Sequence, residues 1–132
     1  MKSLKVQVGV AAVVVMASGW VVLQGVALPQ TKAPATESQI KVAIESYIRE
    51  DTAIKGGFFL WDPRYTAVRQ LDFQHVHDGS WAASGRDQVM CVGFLDERGN
   101  ELDVDFAVRP DWAGTPEVRG IIIHAVNGVP YE

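Results

Sequence analysis

The chain has 132 residues, with twelve lysines and arginines against sixteen aspartates and glutamates, for a net charge of −4. This excludes the basic face that a nucleic-acid partner requires. Its single cysteine, Cys91, excludes an intrachain disulfide, so the folded part must rest on a hydrophobic core, and the length suits one core rather than two.

The chain opens on Lys2 and Lys5 and then carries no charged residue from Val6 to Leu28. A basic start ahead of an uncharged apolar run engages a membrane and keeps the N-terminus on the cytoplasmic side. Two fates fit residues 1–27. In a cleaved signal peptide, Val8 to Ala17 is the apolar block, and Gly25 and Ala27 are the small residues ahead of a cut after Ala27. In an uncleaved transmembrane anchor, residues 6–28 are long enough, at about 1.5 Å each, to cross a hydrocarbon core of about 30 Å. Either way the remainder is expected outside the cytoplasm, free in the periplasm or held on the periplasmic side of the inner membrane. Cleavage leaves 105 residues with a net charge of −6, which also disfavours an anionic lipid surface as partner.

Residues 28–35, with Pro29 and Pro34, form an extended linker, and residues 36–132 form one α+β domain. Thr36 and Gln39 make a capping box, and Glu37 suits the positive end of the helix dipole. Ile40, Ala43, Ile44, Tyr47 and Ile48, extended by Ile54, recur at helical spacing, while Lys41, Glu45, Arg49 and Glu50 take the other side. Gly56 and Gly57 end the helix.

Strands follow. Phe58 to Trp61 is short and closes at the turn Asp62-Pro63-Arg64. Tyr65 to Val76 alternates so that Tyr65, Ala67, Leu71 and Phe73 share a face. After the turn His77-Asp78-Gly79-Ser80, Trp81 to Leu95 reads as one long strand that bends or bulges near Ser84-Gly85. Within it Cys91 has apolar neighbours on both sides. It reads as a small hydrophobe in a buried central strand, with an intermolecular disulfide or a reactive thiol as the alternatives. Asp96 to Asn100 is a hairpin loop. Glu101 to Arg109 alternates cleanly and sends Leu102, Val104, Phe106 and Val108 inward. A loop from Pro110 to Pro116 surrounds Trp112. In the last strand the run Gly120-Ile121-Ile122-Ile123 predicts cover on both faces, at least in part. Asn127-Gly128 is a turn after which Val129-Pro130-Tyr131 folds back on the sheet. The sum is one amphipathic helix packed on a four- to five-stranded antiparallel meander.

Three stretches, Tyr47 to Phe59, Leu71 to Asp78 and Ile123 to Pro130, resemble small exported bacterial proteins of no established activity. The order of elements is similar to the cystatin-like and NTF2-like folds. That resemblance implies a curved sheet wrapped on a helix and brings no catalytic motif with it.

Several residues carry chemistry. His75 and His77 lie two apart at a strand end, so they share a face and are spaced to hold one zinc or copper ion, with Asp78 and His124 completing the set if the last strand is adjacent. Against this, His75 continues the Leu71 and Phe73 face as a core-edge histidine, and His77-Asp78-Gly79 is ordinary turn chemistry. Asp103 and Asp105, beside Glu101, form a solvated sheet face or a partner-binding one. His124 near either aspartate would make the acid-base pair of an NTF2-like enzyme. Trp112 is the aromatic residue most suited to anchor a partner. No Gly-rich phosphate loop, nucleophile elbow, CxxC or HExxH occurs. The expected function is therefore a non-catalytic envelope module binding another protein or a small ligand, with metal binding and the His/Asp enzyme as alternatives.

Overall fold

The helix forms where its start and stop signals place it. In the computed structural model, which describes residues 33–131, α1 spans Glu37–Lys55. The Thr36 hydroxyl accepts from the Gln39 amide at 3.2 Å, while the Thr36 amide donates to the Gln39 side chain at 2.9 Å. Gly56 ends the helix at φ 81, a left-handed conformation that glycine adopts without penalty. Thr36→Ala should therefore cost about 0.5–2 kcal/mol in chemical denaturation, with the native contacts otherwise unchanged. The leader and most of the linker lie outside the described residues. Among the described residues, no helix is long and apolar enough to cross a membrane.

Ile40, Ile44 and Ile48 are buried, each one turn beyond the last on a single face. Ile54 is not part of this stripe and stands in solvent. Six residues at 3.6 per turn carry it about 120° round from Ile48.

Seven strands make one curled antiparallel sheet: β1 Phe58–Asp62, β2 Ala67–Val76, β3 Trp81–Ala82, β4 Gln88–Asp96, β5 Glu101–Pro110, β6 Pro116–Val126 and β7 Val129–Pro130. The spatial order is β1-β2-β4-β5-β6-β7, and β3 pairs with β4. The expected four or five strands become seven for two reasons. Trp81 to Leu95 is not one bent strand but a hairpin. Gly85 at φ 73 turns the chain, the Ala83 amide donates to the Asp87 carbonyl at 2.9 Å, and Trp81 folds back beside Val89. Asn127 and Gly128, at φ 50 and 77, make a second tight turn that returns β7 along β6.

The core lies between α1 and the inner face of the sheet. Leu102, Val104, Phe106 and Val108 all point inward as their alternation predicts, opposite Phe94, Val92 and Met90 of β4. Phe58, Phe94 and Phe106 stack with ring centroids 5.3–6.3 Å apart, and Tyr47 meets Phe58 and Phe106 edge-on. Two expectations, an inward face on β2 and cover on both faces of β6, are met only in part. On β2 only Leu71 of the Tyr65, Ala67, Leu71 and Phe73 group is buried: Tyr65 lies in the turn before β2 begins at Ala67, and Ala67 and Phe73 lie on the strand but are exposed. On β6, Ile123 is buried but Ile122 is 69 % exposed. The helix covers one face of the sheet, and Ile122 points to the other.

Candidate functional site

The uncovered face of the sheet gathers the chain's reactive side chains, and a β-bulge puts one of them there. Phe73 pairs with Phe94, yet His75 pairs with Gly93, the next residue along β4. Gln74 is therefore an extra residue, and everything after it changes face. His75 leaves the Leu71 and Phe73 side, contrary to the core-edge expectation, and joins His77 on the outer face. The His77 amide donates to the Cys91 carbonyl at 2.9 Å. The two imidazoles meet edge to face, with centroids 4.5 Å apart.

Beneath them lies Gly93. A Cβ at this position would stand 3.2 Å from His75 Cε1 and 3.4 Å from His77 Nε2, so the absence of a side chain makes room for both rings. Across the β4–β5 ladder Cys91 faces Asp105, and Gly93 faces Asp103. One ligand atom each from His77, Cys91 and Asp103 lies within 4.8 Å of the other two. His77 Nε2 stands 3.4 Å from an Asp103 oxygen. Both His77 Nε2 and Asp105 Oδ1 are buried atoms with no hydrogen-bond partner among the described residues, a costly condition for polar atoms. Burial, and then the neighbouring Asp103 and Asp105 carboxylates, pushes the Cys91 thiol up to about 12. An uncoordinated Cys91 is thus a protonated, weakly nucleophilic thiol. It is half-buried on the outer face rather than sealed in the core as expected.

The predicted metal set of His75, His77, Asp78 and His124 is rearranged. Asp78 turns away to pair with Lys41 of α1 at 3.3 Å. His124 lies on β6, which is separated from β2 by β4 and β5, about 14 Å at strand spacing. Its Nδ1 instead meets Asp105 Oδ2 at 3.0 Å. This is the expected His/Asp pair, but it sits on the open outer face, whereas the space under the helix is filled by Ile40, Ile44, Phe94 and Phe106. Cys91 and Asp103 take the places expected for Asp78 and His124. Trp112 is 99 % exposed at the tip of the β5–β6 connection. The Asp111 carboxylate holds it there by accepting from the Ala113 and Thr115 amides at 2.8 and 2.7 Å.

At the far end of the sheet a second polar cluster is structural. Arg69 bridges Asp62 at 2.5 Å and Asp96 at 2.6 Å, and the Tyr131 hydroxyl donates to Asp62 at 2.9 Å. A cleft of about 650 Å³ opens beside it, but Arg69 is committed to the two aspartates and Arg64 lies over the Tyr131 ring. No protein-family model matches the chain, and neither the curated proteins nor the solved structures contain a significant match to it.

Proposed function

We propose that this domain is a non-catalytic metal-binding module of the cell envelope, delivered across the inner membrane by its N-terminal segment. We read the domain as cystatin-like or NTF2-like, a reading supported by the one helix that, among the described residues, packs on a curled antiparallel sheet. The observation that carries the metal assignment is the convergence of His77, Cys91 and Asp103 within 4.8 Å, combined with a buried His77 Nε2 that has no hydrogen-bond partner among the described residues. A cation there would satisfy the imidazole nitrogen and offset the negative charge of Asp103. His75, packed on the His77 ring, orients it.

The test is a melting curve of the full-length protein with and without zinc. An ion held at one hundred times its Kd stabilises by about 2.7 kcal/mol, which for a domain of this size raises Tm by about 10–20 °C. His77→Ala should abolish the rise and leave the metal-free melting temperature nearly unchanged. A curve indifferent to zinc, copper and cobalt ends the proposal.

A further inference from the structure

We infer that the ion is thiophilic, zinc(II) or copper(I), bound by three protein ligands, His77 Nε2, the Cys91 thiolate and an Asp103 oxygen, with a fourth position open on the outer face. This rests on the metal-binding proposal and goes beyond it by naming the ion class, the deciding ligand and the residue that makes room for it.

The donor set excludes the hard cations. Calcium binds six to eight oxygens and magnesium an octahedron of oxygens, whereas this cluster sets an imidazole nitrogen and a sulfur beside a single carboxylate. One thiolate, one imidazole and one carboxylate fit a d10 ion of tetrahedral preference, and three protein ligands leave one position for water or an incoming donor. On binding, the Cys91 S–H bond breaks, its proton passes to the buffer, and the sulfur lone pair forms the metal–sulfur bond. No electron changes hands. The ligands come from β4, β5 and the chain just beyond β2, three segments held side by side by the sheet, so the site is largely assembled before the ion arrives. Gly93 is a positioning residue. A Cβ there would stand 3.2 Å from His75 Cε1, so the His75 ring that packs on His77 must give by a few tenths of an ångström, while the 3.4 Å to His77 Nε2 is at the edge of ordinary contact.

Cobalt(II) substitution of the full-length protein tests this directly, because a cobalt–thiolate bond has its own near-ultraviolet charge-transfer band. The wild-type protein should show that band together with the visible bands of a tetrahedral site. Cys91→Ser should lose the charge-transfer band and bind zinc at least tenfold more weakly. Gly93→Ala should weaken zinc binding about tenfold while the band of the saturated protein persists. Calcium and magnesium should leave the melting curve unmoved. Cobalt that raises the melting temperature of the wild-type protein without the thiolate band would overturn the inference and leave the metal-binding proposal standing. Cobalt, zinc and copper that all fail to bind would overturn both. The wild-type spectrum decides even if a variant fails to fold.

Discussion

Replacing Arg69 by methionine is expected to cost about 3–5 kcal/mol and to lower Tm by more than about 12 °C. Asp62 and Asp96 are both buried, and Arg69 is the cation that serves both. Burial alone would raise the pKa of each carboxyl. For Asp62 the hydrogen bonds from Arg69, Tyr131 and the Arg64 amide outweigh it, and for Asp96 those from Asn100, the Arg98 amide and Arg69 do the same. Both groups are held below their ordinary 3.8. A folded pKa below the unfolded one contributes stability that is present above the unfolded pKa and lost as pH falls through the folded one. The wild-type domain should therefore weaken as the pH drops below about 4. Without Arg69 the two buried carboxylates lose their shared cation but keep the hydrogen bonds from Tyr131, the Arg64 amide, Asn100 and the Arg98 amide. Their ionised forms are then less favoured than in the wild type, so the variant loses most near neutrality and recovers part of that loss on protonation. The gap between the two proteins should accordingly shrink between neutral pH and about pH 4 in urea denaturation. Arg69→Lys should fall between them, since an ammonium cannot reach both aspartates with the fork of a guanidinium. A deficit below about 1 kcal/mol at neutral pH would mean that the aspartates are hydrated and the bridge is incidental.

The ladder between β4 and β5 is implicit in the hairpin loop, yet apolar patterning alone put Cys91 in a buried central strand rather than beside Asp105. The loop Asp96 to Asn100 fixes a hairpin centred on Arg98, so residues equidistant from Arg98 must face each other. Cys91 and Asp105 are one such pair, and Gly93 and Asp103 are another. The alternation of Leu102, Val104, Phe106 and Val108 fixes which way the aspartates point. What could not be read was the path of β2. Period two assigns His75 to the side of Phe73, and only the extra residue Gln74 sends it to the other face. A bulge of this kind depends on pairing with a strand more than fifteen residues away, and nothing local marks Gln74 as the residue left out. The place of β6 was equally hidden. Whether His124 reaches His77 depends on strand order, and β6 lies on the far side of β5.

The isoleucine run of β6 leads to the second large effect. Phe106→Ala should cost about 3–5 kcal/mol, whereas Ile122→Thr should stay within about 0.5 kcal/mol. The two residues are one cross-strand step apart: Phe106 pairs with Ile121, and Ile122 pairs with Asp105. They nevertheless occupy opposite sides of the sheet. Phe106 has no solvent exposure and touches the rings of Tyr47, Phe58 and Phe94, so truncating it removes the centre of a four-ring cluster that links α1 to the sheet. The neighbouring rings are pinned by the helix and by β1, so the cavity cannot collapse and its full cost is felt. Against a total stability of about 5–15 kcal/mol for a domain of this kind, that loss is a large share, and the variant should melt early with a broadened transition. Ile122 faces water beside the charged row of β5, and threonine keeps its β-branch and strand preference. If Ile122→Thr proved as damaging as Phe106→Ala, something would have to cover the outer face in solution, and the open coordination position placed there would be closed.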